Sequence, residues 1–196
     1  MLIQTEIYAR VLNETAAVEC FMTNVIALRT LSKILVAVDG SDSSMRAAAA
    51  AIELARRYDI SNASYAADMK VEVPSSIEVI ALYIVDVSPR FELFGKHGFN
   101  YAEYGQAAVE AANKATGSWF STIKENADDS NVRFRSAVMD NSLQSVSGEI
   151  IRYAEKEDVD VIVVGTRGHS QFKKLLIGSV SLGVLTYAPC PVIIIR

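Results

Sequence analysis

Cysteine and histidine are scarce in this chain of 196 residues, which has two of each. Cys20 and Cys190 lie far apart without metal-ligand neighbours, and His97 and His169 cannot assemble a His-rich metal site. A disulfide framework is excluded, and a reduced, cytoplasmic setting is the natural expectation. A basic excess is missing as well. The formal net charge is −4, which leaves no electrostatic footprint for nucleic acid. No apolar run approaches the length of a membrane span. The first residues lack a basic flank before an apolar core, and Glu6, Arg10, Glu14 and Glu19 interrupt them, so they do not read as a signal peptide. No Ser-His-Asp or Cys-His grouping stands out, and no Gly-Lys-Ser/Thr of a P-loop occurs.

What the chain does have is apolar residues, 51% of the total, enough for one domain with a sizeable core. Residues 1–31 form an N-terminal extension. Ile3, Ile7, Val11 or Leu12, Val18, Met22 and Val25 roughly follow helical spacing, so it is either a docking helix or an ill-ordered tail. The domain proper runs from 32 to 196. Its first strand is Lys33–Val38, ending at Asp39-Gly40-Ser41, where Ser41, Asp42 or Ser43 can cap a helix over 45–58. Ala48, Ile52 and Ala55 share one face of that helix. The polar stretch 59–76 reads as a surface insertion. A second strand spans 77–87, followed by an aromatic loop over 88–104 that is either a flap or edge packing.

A long helix is expected over 102–127, with Ala107, Ala111, Ala115, Trp119 and Ile123 as its apolar stripe and Gly117 as a weak point. The alternating 131–139 suits a half-buried or edge strand. A third helix covers 144–157, with its cap open among Ser142, Ser145 and Ser147. A buried strand at 159–164, a helix over 178–187, Pro189-Cys190-Pro191 and a last strand at 192–195 complete the chain.

This β-α alternation predicts an α/β fold: a single doubly wound five-stranded parallel sheet of order 3-2-1-4-5, with helices on both faces. The order is taken from the fold class. In such a sheet a ligand sits outside the carboxyl ends of strands one and four, at the switch point. There the sequence places Asp39-Gly40-Ser41 and Gly165-Thr166-Arg167-Gly168. The second loop continues to Gly178-Ser179, giving the spacing Gly-x2-Gly-x9-Gly-Ser. Glycines let backbone lie close to a ligand, and N–H groups at a helix start favour negative charge. The construction suits a phosphate. It is neither a Walker A loop nor the dinucleotide fingerprint.

The spacing resembles the nucleotide-binding signature of the universal stress protein family. KILVAVDGSDSS, VIALYIVD, EIIRYAEKEDVDVIVVGTRG and GSVSLGVLTYAPCPVIIIR extend the resemblance over 33–196. It implies an adenine-nucleotide hydrolase-like sandwich that dimerises, and, with the signature intact, binding of ATP (or AMP or ADP) with Mg²⁺. Carried over by position, Asp39 is the acidic contact at the nucleoside, with Ala37 and Val38 along the same edge. Ile84 offers a backbone contact to adenine, and Gly165 approaches the ribose. Gly168, Gly178, Ser179 and Val180 hold phosphates, and the metal is held mainly by phosphate oxygens rather than by protein ligands. Ala37 stands where some relatives carry proline.

Other readings stay open at several positions. Asp39 either contacts ligand or caps the next helix, and Ser181 is a ligand contact, a cap or a solvent-facing residue. Arg167 and His169 either touch phosphate or face water; Lys173 and Lys174 read as solvated surface. No residue set argues for catalysis beyond slow ATP hydrolysis, because Asp39 alone is available for phosphoryl transfer. Three functions are weighed: an ATP-binding stress-response or regulatory module; a dimeric interaction protein whose site is empty or takes another nucleotide; and an adenine-nucleotide hydrolase, for which Asp39–Ser44 is a poor motif. Val192–Ile195 at a sheet edge suits a homodimer contact. A protein partner is also expected, of unknown identity, and no membrane. Two substitutions follow: Gly165→Val should abolish ATP binding with the fold intact, and Ile194→Lys should give monomers or insoluble protein.

Overall fold

The computed structural model describes residues 31–69, 77–87, 101–141, 145–168 and 177–196, with backbone course alone for 61–69 and 101–105. The expectations for residues 1–30, the 88–100 loop, His169, Lys173 and Lys174 lie outside them. The described residues form, in chain order, β1 Lys33–Ala37, α1 Asp42–Met69, β2 Glu78–Val85, α2 Tyr101–Ala115, α3 Gly117–Asp129, β3 Arg133–Asp140, α4 Val146–Glu157, β4 Val161–Gly165, α5 Ser179–Tyr187 and β5 Val192–Ile195.

The five strands form one sheet of order β3-β2-β1-β4-β5. Every ladder is parallel; Val36 pairs with Ala81 on one side and Val163 on the other. This is the expected order, with β1 and β4 adjacent at the switch point. The central strands are apolar because both faces are covered. Val36, Val79 and Val163 face α1 and α3, packing with Ala47, Ala51, Ile52 and Ile123. Leu35, Ile80, Ile162 and Val164 face the other way, against Ile150, Tyr153 and Ala154 of α4 and Val184 of α5. Each fully buried Ile, Leu or Val contributes about 1.5–3 kcal/mol, so the paired layers account for the sandwich. β3 lies at one edge with no fully buried residue, as its alternating sequence predicts. β5 lies at the other edge. Its two faces differ: Ile194 packs beneath α4 and α5 while Ile193 is exposed.

Two helices depart from expectation. The segment 59–69 is no insertion, because α1 runs on to Met69. No glycine or proline interrupts Asp42–Met69, and Pro74 is the first breaker. The single helix over 102–127 is two. Thr116 interrupts it, its Oγ1 donating back to the Ala112 carbonyl at 2.8 Å, a contact that bends helices. The expected stripe is also displaced. Ala107, Ala111 and Ala115 are exposed, while Ala112, Thr116, Ile123 and Ala127 are buried. A strict four-residue repeat drifts off the 3.6-residue turn, and alanine carries too little apolar area to decide which face turns inward.

The caps are local and specific. Ser145 caps α4, its Oγ accepting from the Gly148 N–H at 3.1 Å. Asp158 closes the same helix in the left-handed region, with φ 54°.

Candidate functional site

The site grows from the end of β1. Val38 leaves the sheet with its N–H bonded to the Leu82 carbonyl and its side chain buried toward α1. Asp39 follows. Its Oδ1 accepts from the Ser41 N–H at 3.0 Å and the Ser41 hydroxyl at 2.6 Å. Ser41 in turn starts α1: its Oγ accepts from the Ser44 N–H at 3.3 Å and its carbonyl from the Met45 N–H. So Ser41 is the cap, and Asp39 steadies the cap rather than serving as one. Between them Gly40 sits at φ +80°, where a Cβ would lie 2.1 Å from the indole of Trp119. Both the turn and the ring exclude a side chain there. Trp119 meets Tyr83 edge-on, with centroids 5.8 Å apart and planes at 89°. Burial, and then the charges of Asp39 and Asp86, push the Tyr83 hydroxyl up, so it stays protonated at neutral pH.

The β4 loop closes on this turn from the other side. A Cβ on Gly165 would fall 2.4 Å from Ser43 Oγ and 2.8 Å from the Ser43 backbone. Glycine is required here because β4 ends directly against the first turn of α1. This corrects the expectation that Gly165→Val would spare the fold. At Gly168 a Cβ would meet the Asp39 carboxylate at 2.2 Å. Gly178 caps α5, its N–H bonded to the Thr166 carbonyl at 2.8 Å, and its Cα faces the Thr166–Arg167 backbone. The three glycines, thirteen positions apart from first to last, therefore gather around Thr166 and Arg167.

Ser179 and Val180 open α5 exposed, on its first turn, where N–H groups have no helical acceptor. Ser181 is buried and donates to the Gly165 carbonyl at 2.7 Å. That resolves it as a structural clamp on the loop. Ala37 and Ile84 both pack in the cluster beneath α4 and α5. With its side chain buried, Ile84 can offer a ligand only backbone.

Beside Asp39 and Gly168 lies a cavity of about 690 Å³. Gly40–Ser43, Arg46, Thr166–Gly168 and Arg196 line it. Of the expected contacts only Gly168 is in its wall. Ala37, Val38, Asp39, Ile84, Gly165 and Gly178–Val180 are not among its lining residues. Arg46, Ser43 and Arg196 were missed as site residues, since Arg46 reads as helix surface and Ser43 as a capping candidate. They meet only through folding: Arg46 Nε donates to the main-chain oxygen of Arg196 at 3.2 Å across 150 positions, and the Thr166 N–H to the Ile195 carbonyl at 2.7 Å.

The residues that line the cavity are serine, threonine, glycine, arginine and one aspartate. Among the described residues no cluster of His, Cys, Asp and Glu could hold a metal ion. Burial first, and then the charge of Asp160, push the Cys190 thiol up.

Fold and site together define a doubly wound α/β protein of the kind that receives ligands at the switch point of its sheet. The profile of the Universal stress protein family matches residues 61–196, and the chain belongs to that family. It is 30% identical over 169 residues to the universal stress protein MJ0531 of Methanocaldococcus jannaschii, covering 84% of this chain and 81% of that one. Among solved structures, the universal stress protein UspA from Lactobacillus plantarum superposes with a TM-score of 0.59 at 23% identity, over 85% of this chain and 98% of its own. A universal stress protein solved in complex with cAMP gives 0.54 at 17% identity, over 85% and 97%. At such identity these two structures speak to the fold. Among the described residues no helix is long and apolar enough to cross a membrane.

Proposed function

We propose that this protein is a cytoplasmic, adenine-nucleotide-binding regulatory module that takes ATP with Mg²⁺. The observation that carries this reading is the meeting of the Asp39–Ser43 turn with Gly165–Gly168 and Gly178 at the switch point. Family membership supports it, as does a relative of the same fold that holds cAMP. Asp39 receives the ribose, the backbone of Ala37, Val38 and Ile84 flanks the base, and N–H groups from Gly168 and the α5 start take phosphate. No catalytic role is assigned to any residue.

Binding would change the surface offered to a partner. Val180, Leu182, Leu185, Tyr187 and Ile193 are exposed apolar side chains on α5 and β5. Together with the open edge of β5, they favour a homodimer through Val192–Ile195.

Gly168→Ala is the cleaner probe of the nucleotide site, because its Cβ displaces the tip of a carboxylate and meets no backbone. ATP affinity should fall at least about tenfold with the melting temperature within about 2 °C of wild type. Unchanged affinity contradicts the site.

A further inference from the structure

The geometry points to Trp119 as a positioning residue for the ligand site: from the first turn of α3 its indole backs the Gly40 turn and so sets where Asp39 stands. This rests on the nucleotide reading above, in which Asp39 receives the ribose, and adds a residue from an element outside the two loops.

The hydrogen bonds that shape the turn are local. Asp39 Oδ1 accepts from the Ser41 N–H and hydroxyl, and the Asp39 N–H donates to Ser44 Oγ at 3.2 Å. The long-range contact on the turn is apolar. A Cβ on Gly40 would overlap Cζ2, Cε2 and Cη2 of Trp119, so the six-membered ring of the indole lies in van der Waals contact with the Gly40 Cα. The fit is mutual. Gly40 leaves the ring its space at φ +80°, and the ring fills the space into which the turn would otherwise relax. A phenyl ring at 119 would stop short of the outer atoms that make this contact.

The ring is itself held. Tyr83 of β2 meets it edge-on. Ile123, one turn further along the same face of α3, is buried in one cluster with Val36 and Val38, which lead into Asp39. The Tyr83 hydroxyl feels the charge of Asp39, which brings the aromatic pair within electrostatic reach of that carboxylate. Trp119 is also half-buried and is the single tryptophan of the chain, so its emission reports on this turn alone.

The test is a cycle on the full chain: wild type, Gly40→Ala, Trp119→Phe and the double variant, each titrated calorimetrically with ATP and Mg²⁺ and each melted by circular dichroism. Wild-type tryptophan emission is followed through the same titration. Gly40→Ala drives its Cβ into the indole and displaces the turn, so ATP affinity should fall at least about tenfold. Trp119→Phe alone should lose about three- to tenfold, because the turn is no longer backed. The double variant should nevertheless bind at least about threefold more tightly than Gly40→Ala, since the shorter ring clears the space for the Cβ. Wild-type emission should change saturably, with the calorimetric midpoint. A role in stability alone would move melting temperatures and leave the affinity of folded protein unchanged. Equal loss from Gly40→Ala in both backgrounds, or variants that differ from wild type only in melting temperature, overturns the positioning role and leaves the nucleotide reading standing. If Gly40→Ala does not fold, Trp119→Phe decides with the emission: wild-type affinity and silent emission overturn the role, and weakened affinity with a saturable emission change upholds it. No ATP binding to folded wild type overturns both readings.

Discussion

Replacing Gly165 by alanine separates what the glycine does for the fold from what it does for a ligand. The added Cβ would sit 2.4 Å from Ser43 Oγ and 2.8 Å from the Ser43 carbonyl carbon and oxygen. The hydroxyl can rotate away, but the backbone of α1's first turn cannot without moving the helix start. Overpacking against fixed atoms costs about 1–3 kcal/mol. Losing glycine's freedom in the unfolded chain offsets about 0.4–1 kcal/mol of that. The net is a destabilisation of about 1–2 kcal/mol, or roughly 3–6 °C in melting temperature for a protein of this size. Thermal unfolding followed by far-ultraviolet circular dichroism measures it. Gly117→Ala is the matched control, because nothing lies within 4 Å of its Cβ and it opens a helix; it should melt at or slightly above wild type. A Gly165→Ala protein that melts no lower than wild type would refute the packing argument and return Gly165 to a purely ligand-facing role.

Ser181→Ala removes the buried 2.7 Å bond to the Gly165 carbonyl. It should cost about 1–2 kcal/mol by chemical denaturation, whereas a loss under about 0.3 kcal/mol would mean the loop is held elsewhere. For the dimer, Ile194 is a poor choice, since it packs under α4 and α5 and its lysine variant would weaken the monomer itself. Ile193 is exposed on the edge strand, so Ile193→Lys should yield a folded monomer by light scattering; an unchanged dimer mass would exclude this edge as the interface. Arg56 first and Arg57 second hold the Glu53 carboxyl down to about 2 from its ordinary 4.5. A carboxylate depressed in the folded state supports stability above about pH 4.5 and loses that support as pH falls toward 2. Glu53→Gln should therefore melt slightly lower than wild type above about pH 4.5 and converge with it as pH falls toward 2, which flattens the acid limb of the melting-temperature profile.

The sheet was legible because apolar strands and amphipathic helices alternate, and the handedness of crossovers leaves few orders. The positions of Asp39, Gly165, Gly168 and Gly178 at one end of that sheet followed from the same rule. What was not legible came from contacts between distant residues. Whether Gly165 makes room for a ligand or for Ser43 depends on how closely α1 meets β4, which no local pattern encodes. Gly40 is dictated as much by Trp119, far along the chain, as by its own turn. The arginines of the cavity are single surface-type residues on separate elements, and only the folded ends of β4 and β5 bring them together. The 59–69 segment was misread because its serines and asparagine suggested a loop. Helix formers on the same stretch, with no breaker before Pro74, outweighed them.

The central claim is that the switch point holds an adenine nucleotide. Calorimetric titration of the purified full chain with ATP and Mg²⁺, after chromatography has verified that no nucleotide co-purified, tests it most directly. The account predicts saturable binding at one site per chain, lost in Gly168→Ala. Absence of heat and of competition by AMP or ADP, in protein that is folded and demonstrably empty, would contradict it and move the weight to a dimeric interaction protein acting through α5 and β5.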